Sequence, residues 1–464
     1  MNAGISKPWS STTEIINLCI WVIIIAIPFV LKVGSNQWKM ALVNISVALV
    51  AVQFIGMVSL LINPEIFSDI ESSDVQGGYL STKGMFDLSK EKNVVVFITD
   101  YFDGRVMDTI LDEDPDFLKP LKGFTYFPNA TSVHSRTYPS ITYLLTGEIC
   151  YYNLPPRKYI NNAFEHSSFL TDLHKNNINI GYYSDKYYLG KSDKSLISNF
   201  ELSKIDLSYK DTISKFVEAT LFKDSPYLFK MLFHFDAAEI NNSILIDNQQ
   251  SQDNNDNLLN AERVKILDDL WFNEQLHKQG VSLDSSTSTF RFYHLQSFHK
   301  TFNVNDAKNS LQIIYEYIDQ MQQLGIYKNS TIIIMADHGY HQGNDEISYL
   351  PQNTAVPLFI VKPFGADVES EMKISSAPVS HTDFLATVFA GFNLSYDKYG
   401  RTVFDIGENE NRDRYYYLTY LQSEERGEVE LREFLVGSDA RNASSYKFTG
   451  NTWKVLFSRY KIMR

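Results

Sequence analysis

Two stretches near the start of the chain have no polar face. Ile15 to Leu31, "IINLCIWVIIIAIPFVL", carries no charge, and neither does Met40 to Ile62 over 23 residues. As a helix the second run reaches roughly 35 Å, enough to cross a bilayer. The first is at the short end and contains Pro28, which a membrane helix tolerates. A signal peptide is the alternative for the first run, but no small-residue cleavage site separates it from the next apolar segment. The pattern therefore predicts two transmembrane helices. Their connector holds Lys32 and Lys39, whereas Glu65, Asp69, Glu71 and Asp74 follow the second run before any further lysine. That asymmetry places the connector in the cytoplasm and the rest of the chain outside.

Beyond a polar tether at 63–92 the pattern becomes that of buried strands alternating with amphipathic helices. "NVVVFITD" (Asn93 to Asp100) is a continuous apolar run, as expected of a strand buried on both faces. "NINIGYYSD", "TFRFYHLQ", "STIIIMADHG" and "AVPLFIVKP" read as further strands. "SFLTDLHKN" and "AKNSLQIIYEYIDQMQQLGIY" read as helices, the latter presenting Leu311, Ile314, Tyr315 and Ile318 on one face. Between Asp211 and Val281 the pattern is helical, broken by the polar loop "DNQQSQDNNDN". From Arg414 onward, "RYYYLTYLQ" and "EVELREFLVG" predict short antiparallel strands. The expected fold is α/β: a mainly parallel sheet sandwiched by helices, with a small C-terminal antiparallel addition at about 406–464. The expected organisation is an anchor at 1–62, a linker at 63–92 and a catalytic domain at 93–464.

Composition adds exclusions. The net charge of −13 argues against a nucleic-acid surface, which needs clustered Lys and Arg. Two cysteines, Cys19 and Cys150, are too few for a disulfide framework. No internal repeat is visible.

In parallel sheets, chemistry collects at the carboxyl ends of strands. Asp100, His299, Asp337 and His338 all fall at or just after predicted strand ends, and Gly339 permits a tight turn after the Asp-His pair. Two carboxylates, an imidazole and the hydroxyl of Thr137 form a mixed oxygen and nitrogen donor set for one divalent cation. Zn or Mn is favoured, with Mg or Ca open. Such a cation would stabilise the Thr137 alkoxide during phosphoryl transfer. Pro139 suits an early helical position, and a helix N-terminus favours an anionic substrate. The alternative for Thr137 is an N-cap or turn residue. His134, His294 and His341 read as structural, and Asp103 as a turn residue. "SPYLFKMLFHF" (Ser225 to Phe235) reads as a core helix, or as a surface that lies on a membrane and guides a lipid tail.

These motifs carry a family resemblance. "TYPSITYLLTG" resembles the sulfatase signature, "GIYKNSTIIIMADHG" its second metal-binding segment, and "VSHTDFLATVF" its later His-Thr-Asp segment. "FYHLQSFHKTF" is similar to the strand and loop that present a histidine in membrane phosphoethanolamine transferases and lipoteichoic acid synthases. Together, over about Asn93 to Asp405, they resemble the sulfatase branch of the alkaline phosphatase superfamily. The resemblance implies a metal site of Asp100, Thr137, Asp337 and His338, with His299 and His381 contacting substrate or moving protons. Thr137 cannot form the formylglycine that sulfatases make from Cys or Ser, and Ile141 replaces an arginine of their signature. Both departures resemble the transferases, in which an unmodified threonine takes a phospho-substituent from a lipid. The expected donor is thus a membrane phospholipid and the acceptor an extracytoplasmic glycan or polymer, at the plasma (inner) membrane. A hydrolase of phosphate or sulfate esters is the alternative.

Overall fold

The structure is a computed structural model. It describes residues 11–30, short pieces between 36 and 52, and residues 78–191, 194–202, 268–296, 303–339, 351–408, 410–423 and 428–454. The chain divides into two compact units: Met1–Tyr79 with Glu201–Asp256, and Leu80–Phe200 with Asn257–Arg464.

In the first unit, helix α1 (Ser11–Val30) coincides with the first apolar run. Ile15, Ile16, Ile20, Val22 and Ile23 are each at least half exposed. Among the described residues, no helix is long and apolar enough to cross a membrane. The expectation of two transmembrane helices is therefore not supported; most of the second run, Met40 to Ile62, lies outside the described residues.

The second unit is built on a seven-stranded sheet. In chain order its principal strands are β1 (Asn93–Thr99), β2 (Asn179–Tyr183), β3 (Thr289–Leu295), β4 (Ser330–Met335) and β5 (Phe359–Lys362). Two short strands, Thr125–Tyr126 and Lys373–Ile374, complete one edge. Across the sheet β2, β3, β1 and β4 run parallel, and β5 is antiparallel to β4. The sheet is mixed and mostly parallel, as the uninterrupted apolar strands predict, and every residue of β1, β3, β4 and β5 is buried.

Alternation along β1 separates the two faces. Phe97 meets Tyr317 of helix α2 (Val304–Gln323) edge-on, with ring centroids 5.2 Å apart. On the other face Val94 lies against helix α3 (Phe384–Gly391): a Cβ added to Gly391 would come 2.8 Å from the Val94 side chain and 2.8 Å from Thr331 Oγ1. Only glycine allows that approach. The expected inward face of α2 is buried at Leu311, Ile314 and Ile318, while Tyr315 sits at its flank, its hydroxyl donating to the Phe117 carbonyl at 3.1 Å. Within the span read as a tether, Met85 to Ser89 are largely buried, and Asp87–Ser89 pairs with the parallel strand Ser282–Ser285. Arg414–Ser423, Glu428–Val436 and Tyr446–Lys454 form the expected C-terminal antiparallel sheet. The low-complexity loop and the Ser225–Phe235 stretch lie outside the described residues.

Asn93 locks the register of the three central strands at their amino ends. Its Nδ2 donates to the Ser89 carbonyl at 2.9 Å and Ser330 Oγ at 3.1 Å. Its Oδ1 accepts from the Ser89 amide at 2.8 Å and Thr289 Oγ1 at 2.7 Å. All four bonds are buried, so truncation strands groups that have no access to water. Asn93→Ala should lower stability by about 3 kcal/mol and the melting temperature by roughly 5 °C or more. An unchanged melting temperature would show that this network does not hold the register.

Candidate active site

Parallel pairing brings three strand ends together. Ile98 of β1 is level with His294 of β3 and with Met335 of β4. The chain leaving β1 therefore delivers Asp100 between His294 and the Asp337–His338 turn. Backbone bonds fix the junction: the Asp100 amide donates to the Leu295 carbonyl at 2.9 Å, and Thr99 Oγ1 donates to the Met335 carbonyl at 3.3 Å. Tyr101, next in sequence, takes the left-handed conformation at φ 67°, which costs a β-carbon-bearing residue about 1 kcal/mol or more. The turn this creates lets the Tyr101 amide donate to Asp337 Oδ1 at 3.1 Å.

Thr137 arrives from another direction. It is the first residue of helix α4 (Thr137–Thr146), with extended Arg136 as the N-cap and Gly147 closing the helix at φ 78°. Thr137 is thus not the N-cap. Its Oγ1 turns instead to Asp100 Oδ1 at 3.4 Å and His338 Nε2 at 3.3 Å. Arg136, Thr137 and Tyr138 are half-buried, whereas Pro139 to Thr146 are buried, so the hydroxyl stands at the accessible end of the helix. Ile141 lies in the core.

The tautomers follow from the hydrogen bonds. His338 Nδ1 is 2.9 Å from the Gly339 carbonyl, which can only accept, so Nδ1 donates there and Nε2 is the nitrogen turned toward the carboxylates. It lies 3.4 Å from Asp337 Oδ2. Among the described residues, neither His294 Nε2 nor Asp337 Oδ2 has a hydrogen-bond partner despite full burial. His294 Nδ1 is paired with Ser184 Oγ at 2.9 Å, leaving Nε2 3.6 Å from Asp100 Oδ2. Donor atoms of Asp100, His294 and Asp337 all lie within 4.8 Å of one another.

The charges agree. Burial, and then the Asp100 carboxylate, push the Asp337 carboxyl above the usual range. For His294, burial lowers the pKa, but the hydrogen bond and charge of Asp100, with Asp337 behind, outweigh it and raise the imidazole above its ordinary value. Both shifts describe a site with a surplus of electron pairs. The donor set of two carboxylates, imidazole nitrogens and a hydroxyl fits a divalent cation.

Four residues read from the sequence as metal ligands, Asp100, Thr137, Asp337 and His338, come together in the structure. His294, read as structural, joins them. The signal was its place one residue before the end of a strand parallel to the one leading to Asp100, with Ile98 opposite. His381 is buried, its Nε2 donates to the Ala336 carbonyl at 3.1 Å, and burial lowers its pKa to about 3, so it holds the approach to Asp337 as a neutral ring. His299 and His341 lie outside the described residues. His134 is buried and structural, its Nε2 accepting from the Cys150 amide at 3.2 Å. Asp103 caps Gly104–Glu113 by accepting from the Arg105 amide at 2.7 Å. Gly339 is required for space rather than for a turn: a β-carbon there would come 2.7 Å from Asp103 Oδ2 and 3.0 Å from the Thr354 backbone. The Gln296 backbone amide, just past the end of β3, donates to Asp269 Oδ1 at 2.8 Å.

The Sulfatase family model matches residues 304–394, a span that includes α2, β4, the Asp337–His338 turn and His381. Over that span, about a fifth of the chain, the sequence is similar to the Sulfatase family. Among solved structures it is similar to Ps i-CgsB in complex with k-i-k-neocarrahexaose, at 12% identity over 75% of this chain and 84% of that one, with a TM-score of 0.46. It is also similar to the C-terminal periplasmic domain of EcEptC from Escherichia coli, at 11% identity over 71% and 92%, TM-score 0.35. A third is the phosphonate monoester hydrolase SpPMH from Silicibacter pomeroyi, at 13% identity over 75% and 87%, TM-score 0.39. No curated protein matches the chain by sequence.

Removing a donor should empty the site. Asp337→Ala and His294→Ala should each lower divalent-metal affinity by roughly 10-fold or more, measured as bound metal per chain after dialysis. Wild-type metal content in His294→Ala would exclude that residue from the set.

Proposed function

We propose that the protein is a metal-dependent phosphotransferase that moves a phospholipid head group, of phosphoglycerol or phosphoethanolamine type, to an extracytoplasmic glycan or polymer. The observation that carries this reading is the position of Thr137 Oγ1, 3.3 Å from His338 Nε2 and 3.4 Å from Asp100 Oδ1 at the accessible start of a helix. Asp100, Asp337, His338, His294 and Thr137 would hold the metal, which supplies positive charge for the developing alkoxide and the phosphoryl oxygens.

In the first half-reaction Thr137 Oγ1 attacks phosphorus. The bond from phosphorus to the glycerol oxygen breaks, and diacylglycerol leaves with the proton that Thr137 gives up. In the second, an acceptor hydroxyl attacks phosphorus, the Thr137 Oγ1–phosphorus bond breaks, and Thr137 recovers a proton from the acceptor. Water in place of the acceptor makes the same site a hydrolase, a reading favoured by the Sulfatase family match. The β-methyl of Thr137 disfavours a sulfatase proper, since a threonine cannot give the formylglycine aldehyde.

Attachment to the plasma (inner) membrane, with the catalytic unit outside, belongs to the same proposal. It is supported by the exposure of Ile15, Ile16, Ile20, Val22 and Ile23 on α1 and by the lysines of the connector. A membrane-impermeant protease added to intact cells, or to spheroplasts where an outer membrane exists, should then remove the chain beyond Ile62. Complete protection until lysis would reverse the orientation.

Thr137 is tested by two variants. Thr137→Ala should lower turnover of a labelled phospholipid by about 1,000-fold or more with metal content and melting temperature nearly unchanged. Thr137→Ser should keep measurable activity, and mass spectrometry of the wild type exposed to lipid should find a phospho-adduct on Thr137. Near-normal turnover by the alanine variant refutes covalent catalysis through this residue.

A further inference from the structure

The two histidines at the site are held in different ways. His338 Nδ1 meets a backbone carbonyl, that of Gly339, at 2.9 Å. His294 Nδ1 meets a side chain instead: Ser184 Oγ, at 2.9 Å. Ser184 follows the last residue of β2 and is buried, with 4% of its surface exposed. Parallel pairing sets Tyr183 of β2 level with Tyr293 of β3, so the residues that follow them, Ser184 and His294, arrive side by side. Among the described residues the His294 ring has no other hydrogen-bond partner, since its Nε2 has none.

The sheet fixes the His294 backbone without help from Ser184. His294 is level with Ile98 of β1, and just past it the Gln296 amide donates to Asp269 Oδ1 at 2.8 Å. Asp269 Oδ2 in turn accepts from Ser310 Oγ of α2 at 2.9 Å. What these bonds leave open is rotation of the ring about Cβ–Cγ, a torsion with a broad, roughly two-fold profile in histidine. Tyr188 lies near the ring, with centroids 6.3 Å apart and planes tilted by 55°, but an aromatic neighbour does not distinguish one nitrogen from the other. A hydroxyl does. With Nδ1 on Ser184 Oγ, Nε2 lies 3.6 Å from Asp100 Oδ2. A neutral imidazole has a single N–H, and Nε2 ligates a cation only when that proton sits on Nδ1, where it needs an acceptor. Ser184 Oγ stands where the acceptor is required.

We propose that Ser184 is a positioning residue for the metal site: its hydroxyl accepts the His294 Nδ1 proton and so turns the Nε2 lone pair toward the Asp100 carboxylate and the cation held there. The inference rests on His294 being one of the metal-holding residues, and not on the reaction that the metal serves. The corresponding bond of His338 is made by the backbone and cannot be mutated away, whereas that of His294 depends on one side-chain oxygen.

Zn²⁺ binding to the full-length protein, stripped of metal and titrated with the ion alone, tests the proposal without requiring turnover. Ser184→Ala should weaken binding by about 10-fold or more, and Ser184→Thr, which keeps the hydroxyl, should recover most of the loss. A double-mutant cycle separates positioning from general support of the fold. Adding Ser184→Ala to His294→Ala should cost no further affinity, because the ring through which Ser184 acts is gone. Wild-type affinity in Ser184→Ala overturns the proposal. So does an equal loss from Ser184→Ala with and without the His294 ring, which would make the serine a support of the fold. Wild-type affinity in His294→Ala overturns it as well, by removing the residue to be positioned. Loss of metal in His294→Ala beside normal binding in Ser184→Ala sinks this inference alone and leaves the metal set standing. Covalent catalysis through Thr137 is judged separately, by its own variants.

Discussion

The constraint on which the site depends is electrostatic. Asp100 and Asp337 are buried side by side, with His338 Nε2 3.4 Å from Asp337 Oδ2. Concentrating acceptors in a dry place is unfavourable by several kcal/mol unless a positive charge joins them. Hydrogen bonds from the Tyr101 and His338 amides satisfy one oxygen of Asp337 and leave the other bare. The rest of the scaffold can be understood as the apparatus that keeps these groups from relaxing away from each other: strands locked at Asn93, Gly339 pressed against Asp103, and His381 fastening the Ala336 carbonyl.

Different elements bring their donor atoms to the same point. The strand ends supply carboxylates and imidazoles, whose rigidity comes from a sheet buried on both faces. Helix α4 brings the Thr137 hydroxyl to them from outside the sheet.

Much of this was legible in the sequence, for identifiable reasons. Unbroken apolar strands reveal a sheet covered on both faces, and polar residues that end such strands must emerge at one edge, so Asp100, Asp337 and His338 could be grouped before any coordinates. The Thr137 stretch was readable because Pro139 and Gly147 mark the two ends of its helix. His294 was not, because it lies inside an apolar strand and its meaning depends on being level with Ile98, a register that a single strand cannot reveal. His381 is clear as a motif, but only packing shows that its Nε2 faces the Ala336 carbonyl. The burial of Met85 to Ser89 was hidden by a short strand whose partner is Ser282–Ser285, far along the chain.

The position of β1 in the sheet has a consequence for biosynthesis. It is the earliest of the principal strands to be made, yet its side-by-side partners come much later: Asn93 bonds to residues 196 and 237 positions further on. While the ribosome completes that distance, "NVVVFIT" has neither neighbour, and its five apolar, β-favouring residues, Val94 to Ile98, have no charge among them to discourage pairing with another nascent chain. Closing so long a loop is also slow. The strand that later delivers Asp100 is therefore open to mispairing during synthesis until β3 and β4 have been made.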